Sequence, residues 1–143
     1  MTFLLDTNVL SELRKPARRA DPGVRAWTSA QVATDLHLSV VTILEIELGI
    51  ARVARRDRAQ GATLTGWLEN EVLKIFAGRI VEVDVRVARR AARLHVPDPR
   101  PERDALIAAT ALVHDLVVVT RNVSDFGPTG VETLDPWSSG VGA

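Results

Sequence analysis

No cysteine occurs anywhere in the 143-residue chain, which excludes a disulfide framework and a thiolate metal site and fits a reducing compartment. The N-terminus lacks the basic leader and long apolar core of a signal peptide, and no apolar run approaches the roughly 20 residues a bilayer demands. No membrane association is expected, and the compartment expected is the cytoplasm. Net charge is absent too: 18 basic residues face 18 acidic ones, so any attraction for nucleic acid has to come from local clusters. What remains is 46% hydrophobic and 25% charged, enough for one globular domain with a proper core.

Short apolar and β-branched runs alternate with long segments of helical period. Residues 2–5, 36–41 ("LHLSVV"), 80–83 ("IVEV"), 116–119 ("LVVV") and 131–134 read as strands. Between them, 7–14, 24–32, 42–54, 59–76, 85–95 and 103–114 carry helical periodicity. This order predicts a three-layer α/β/α domain around a mostly parallel sheet, with "LVVV" as a central strand buried on both faces. The segment "HVPDPRPERD" (95–104) reads as a loop leading into a helix. Residues 1–135 are expected to form one unit and 136–143 ("PWSSGVGA") a flexible tail.

In open α/β sheets ligands bind beyond the carboxyl ends of the strands. Asp6 closes the first strand, Glu45 follows the second, Asp125 follows "LVVVT", and Asp104 opens the helix after the proline-rich loop. Each alone has a structural explanation. Asp6 can be a helix N-cap, Glu45 can complete a capping box with Thr42, Asp104 can complement a helix dipole, and Asp125 can brace a turn. Together they would repel one another unless a cation sits among them. Hard oxygen donors suit Mg2+ or Mn2+, whereas zinc would draw on histidine or cysteine. His37, His95 and His114 lie outside the acidic positions.

The stretches "LLDTNVLSE", "LSVVTILEIELGI" and "RDALIAATALVHDLVVVTRNVSDF" resemble the PIN-domain ribonucleases, in particular the toxin subunits of VapBC- and FitAB-type toxin–antitoxin systems. The resemblance runs over nearly the whole chain. It implies a PIN-like fold, Mg2+- or Mn2+-dependent endoribonuclease activity, and an acidic site at Asp6, Glu45, Asp104 and Asp125. Thr7, Asn8, Thr120 and Asn122 fall on positions that surround that site, while Glu47 and Asp98 match none. It further implies a small VapB-like antitoxin that places a basic side chain in the acidic site, and a homodimeric toxin forming a hetero-oligomer with it.

Such chemistry needs a water nucleophile and charge stabilisation, which one or two divalent ions supply. Asp6 is the expected bridging ligand and Asp104 the next. RNA needs positive charge nearby, for which Arg14, Lys15, Arg18, Arg19 and Arg121 are candidates. Trp27 and Trp67, in helical segments, are expected in the core or an interface rather than stacked on bases. Two alternatives stay open. A degenerate PIN-like scaffold would bind a partner without catalysis. A haloacid-dehalogenase-like phosphatase also keeps an aspartate after its first strand, but it would want a second Asp where this chain has Asn8.

Overall fold

A computed structural model describes residues 1–138. Five strands form one sheet: β1 (Phe3–Leu5), β2 (Leu36–Ser39), β3 (Ile80–Val81), β4 (Val117–Val119) and β5 (Thr133–Leu134), in the order β3-β2-β1-β4-β5. Every pairing is parallel, so the sheet is fully rather than mostly parallel. Phe3, Leu4 and Leu5 pair with Val117, Val118 and Val119, and both strands are buried at every residue. Their continuous apolar character follows from helices covering both faces.

Those helices are α1 (Thr7–Arg14), α2 (Pro22–Ser29), α3 (Val40–Arg56), α4 (Arg58–Trp67), α5 (Leu73–Ile75), α6 (Val85–Leu94), α7 (Glu102–His114) and the short α8 (Val123–Phe126). One face of the sheet packs Val9, Leu10, Val24, Ile46, Ile50, Leu68, Val72 and Phe76 over Leu5, Leu38 and Val119. The other packs Ile107, Ala108, Ala111 and Phe126 over Leu4 and Val118. Alternate residues of β1 thus serve opposite layers, as the two-residue period of a strand requires. Trp27 meets Phe3 edge to face at 4.9 Å and Trp67 packs partly buried against the same core, matching their expected structural role.

Four expectations need correction. The second strand ends at Ser39 and the next helix begins at Val40, because the Ser39 hydroxyl accepts from Val41 N at 3.0 Å and caps the helix there. The Thr42–Glu45 capping box therefore does not form. The expected helix over 59–76 is broken by a π turn at Leu68–Val72, which brings both of these residues into the core at 0% and 3% exposure. Nor is the chain free from residue 136 onward: Trp137 is 4% exposed in the main core. Ser138 N donates to Asp21 Oδ2 at 2.9 Å and its hydroxyl to Oδ1. The remainder of the expected tail lies outside the described residues.

Candidate active site

Chain order runs outward from β1 to β2 and β3 on one side, then returns to β4 and β5 on the other. The direction reverses between β1 and β4, and the crevice beyond their carboxyl ends is where such sheets bind ligands. Asp6 leaves β1 there, its backbone N–H still bonded to Val119 O at 2.9 Å, and Thr120 leaves β4 beside it. The Asp6 carboxylate is almost fully held. Oδ1 accepts from Thr7 N at 2.8 Å, while Oδ2 accepts from the Thr120 hydroxyl at 2.8 Å and the Asn8 amide at 3.4 Å. Asp6 is both helix cap and cleft wall, so the structural and functional explanations of this residue are compatible.

Thr120 Oγ1 also accepts from the Asn8 amide at 3.3 Å and from Asn122 N at 3.0 Å, and Asn8 Oδ1 accepts from Arg121 N at 3.4 Å. Asn8 and Thr120 thereby stitch the end of β1 to the turn after β4. Opposite them, Thr7 donates its hydroxyl to Glu45 Oε1 at 2.7 Å. The buried Thr42 hydroxyl lies 3.3 Å from that of Thr7, so Thr42 supports Glu45 from behind instead of capping α3.

Asp6, Thr7, Asn8, Glu45, Asp104 and Asn122 line one cleft of about 470 Å³, together with Ser11, Glu12, Lys15, Arg121 and Trp137. Asp125, exposed on α8, does not line it, yet its charge reaches both Asp6 and Asp104. Burial raises the Asp6 carboxyl above its ordinary pKa, Thr120 and Thr7 pull it back through their hydrogen bonds, and Glu45 and Asp125 push it up again. Asp104, in the first turn of α7, is likewise raised, first by burial and then by Asp6, Asp125 and Glu45. The acids expected to share a site feel one another's charge.

A larger hollow of about 720 Å³ at the opposite end of the sheet is lined by Met1, Thr2, Leu116, Val117 and Glu132 among others. Size does not locate the chemistry here, since the interacting carboxylates belong to the smaller cleft. Among the described residues no three acidic, histidine or cysteine side chains stand close enough to enclose an ion by themselves. The donor set still fits a hard cation: it is all oxygen, it carries excess negative charge, and Mg2+ keeps several waters and needs few protein carboxylates. His37 and His95 make local contacts to the Asp35 carbonyl and the Arg100 backbone N–H, away from the cleft lining.

The basic candidates divide. Lys15 lines the cleft and binds Glu12 Oε1 at 2.9 Å, and Arg121 lines it while stacking over Trp137 at 5.4 Å. Arg14 turns instead over the Trp67 ring at 5.9 Å and borders a neighbouring hollow that shares Thr7, Ser11 and Glu45 with the cleft. Arg18 and Arg19 are exposed beyond α1 and line no part of the cleft. Sequence reasoning missed Glu12, which is 8% exposed and accepts from both Lys15 and Asp21 N. It also missed Arg103, whose Nη1 lies 3.8 Å from Glu45 Oε2. Adjacency to Asp104 was the available signal for Arg103; for Glu12 it was its place at the end of "LLDTNVLSE".

A sequence model of the PIN domain matches residues 3–126. The chain belongs to the PIN-domain family. It is 36% identical over 140 residues to the VapC ribonuclease Y4jK of Sinorhizobium fredii, with 94% of this chain and 97% of that protein covered. Against toxin FitB of Neisseria gonorrhoeae identity is 36% over 141 residues, covering 94% of this chain and 98% of FitB. The crystal structure of FitAcB from Neisseria gonorrhoeae superposes with a TM-score of 0.86 at 34% identity, over 96% of this chain and 99% of that one. The PIN-like three-layer fold is shared with that structure along nearly all of both chains.

Proposed function

We propose that this PIN domain is the toxin of a type II toxin–antitoxin pair, an endoribonuclease that hydrolyses RNA phosphodiester bonds with Mg2+- or Mn2+-activated water. The single observation that carries the mechanism is the meeting of Asp6, Glu45 and Asp104 in one cleft at the sheet's reversal point, within reach of Asp125's charge. A ribonuclease and a toxin among relatives that match along almost their whole length support the substrate and the biological setting. The partner that follows is a small antitoxin, and the place of action a cytoplasm.

Asp6 and Asp104 are the residues to hold the ion directly, with Glu45 and Asp125 acting beside them or through waters. When bound, the ion supplies a hydroxide-like nucleophile and neutralises charge on the phosphate and leaving oxygen. The protein's share is positioning. Thr120 and Asn8 fix the plane of the Asp6 carboxylate, and Thr7 fixes Glu45. Lys15 and Arg121 at the rim provide the positive charge an RNA backbone needs over an acidic floor. The phosphatase alternative is disfavoured, because Asn8 stands where a second acid would be needed and spends its amide on Asp6 and Thr120.

Asp104→Asn tests the assignment. The change removes a charge from the ion's surroundings while nearly preserving shape, so the fold stays and RNA cleavage falls by orders of magnitude. Retained cleavage in the variant sinks the site. A wild-type chain that binds neither Mg2+ nor Mn2+ in a calorimetric titration favours the non-catalytic scaffold instead.

A further inference from the structure

Among the described residues, one ion pair involves any of the four site acids, and it is that of Arg103 with Glu45. Lys15 is engaged by Glu12 and Arg121 by the Trp137 ring. Arg103 stands in the first turn of α7, directly before Asp104, with 48% of its side chain exposed.

The two oxygens of Glu45 are held in different ways. Oε1 accepts a short bond from Thr7, a side chain at the start of α1 backed by buried Thr42. Among the described residues, Oε2 meets the long arm of Arg103 at 3.8 Å. A pair so exposed and so stretched is weak, its net worth a fraction of a charge-assisted hydrogen bond. A divalent ion held among Asp6, Glu45 and Asp104 would repel the guanidinium and draw on the same Glu45 carboxylate, directly or through a water. Released, the guanidinium stays beside Glu45 and next to Asp104, two residues of the cleft lining, and its fork of donors matches a phosphate.

We propose that Arg103 is an exchangeable counter-charge: it rests on Glu45 in the metal-free chain and passes to an RNA phosphate when the ion binds, coupling ion loading to substrate binding. The coupling deepens the ribonuclease assignment above and rests on it.

Arg103→Gln removes the charge at an exposed position and should leave the melting temperature unchanged. Calorimetric titration of Mn2+ into the RNA-free variant should show binding tighter than wild type by about two- to fivefold, the span of an exposed ion pair. Fluorescence anisotropy with a labelled single-stranded oligouridylate, in Ca2+ and with the probe checked intact on a gel, should show weaker binding. The slope of log affinity against log salt should be shallower by about 0.7, one phosphate contact on a single strand. Arg103→Lys should restore that slope. An unchanged Mn2+ affinity or an unchanged slope in Arg103→Gln overturns the proposal. A wild type that takes up no Mn2+ overturns the metal-dependent function and this inference with it, whereas a wild type that binds and cleaves beside an indifferent variant overturns the inference alone.

Discussion

Asp6 and Asp104 sit where burial and neighbouring carboxylates both disfavour their charged forms. A carboxyl whose pKa is higher in the folded than in the unfolded chain binds its proton more tightly when folded, so protonation favours folding. That contribution is complete below the ordinary value of 3.8 and fades as pH climbs through the raised folded values. Glu12, Asp21 and Asp84 are shifted the other way, Glu12 first by its bond from Lys15, Asp21 by Ser138 and Asp84 by the Val87 backbone. Their stabilisation is complete above their ordinary values and is lost as pH falls through the lowered ones. In EDTA, melting temperature should therefore rise as pH drops from neutral through the raised values of Asp6 and Asp104, then fall once pH passes below the ordinary 4.5 of Glu12 and 3.8 of Asp21 and Asp84. With saturating Mn2+ the first trend should invert, since protons and ions compete for the same oxygens. Melting curves that decline steadily from neutral pH in EDTA would show that the two acids carry no such strain. Asp104→Asn in EDTA should flatten the rise, because one of the two raised groups is gone.

At the scale of elements, helix and strand identity was legible in the sequence where one period ran without interruption. The α1 segment was expected at 7–14 and forms at Thr7–Arg14; α7 was expected at 103–114 and forms at Glu102–His114. The failures fall where two elements share apolar residues. "LSVVT" offers no change in hydropathy at the strand-to-helix junction, so only a hydrogen bond, Ser39 Oγ to Val41 N, decides that Val40 and Val41 turn into the helix. The π turn at Leu68–Val72 was equally invisible, since one extra residue in a turn leaves composition unaltered. Ser39→Ala should lower stability by about 0.5–2 kcal/mol, the range for losing an N-cap, and by the upper part of it because Ser39 is fully buried. Chemical denaturation measures this directly. Thr42→Ser, which retains the hydroxyl behind Thr7 and Glu45, should lose far less. Trp137 shows another limit: a lone tryptophan amid "DPWSSG" looks like turn sequence, and its burial depends on Asp21 holding Ser138 from a distant helix start. The acids of the candidate site could be proposed from sequence, because each follows a strand or opens a helix and falls in a stretch that resembles the PIN-domain ribonucleases. The basic rim could not be sorted, because arginine abounds and only the packing of Trp67 and Trp137 turns Arg14 away and keeps Arg121 near.

Taken as a whole molecule, the chain is neutral in sum yet gathers an excess of negative charge at the carboxyl end of its sheet, where Asp6, Glu12, Glu45 and Asp104 face Lys15 and Arg121. Such a cleft attracts any cation able to enter it, and a metal ion is one of two chemistries that satisfy it. An arginine reaching in from the antitoxin, as the resemblance to VapBC- and FitAB-type toxins implies, would be the other, since its planar donors engage carboxylates in bidentate fashion. The two occupants cannot share the same oxygens, so each must weaken the other by the same factor, as linkage requires. Excess Mn2+ should therefore partly relieve inhibition of RNA cleavage by the antitoxin, and the antitoxin should raise the Mn2+ concentration needed for half-maximal activity. Asp6→Asn is the informative variant, because asparagine can still accept the Thr7 N–H as helix cap while removing charge from the cleft floor. It should weaken antitoxin affinity and abolish cleavage together. If titration calorimetry shows antitoxin affinity indifferent to both Mn2+ and Asp6, the inhibitor must cover the RNA path elsewhere on the surface, and direct competition at the carboxylates is wrong.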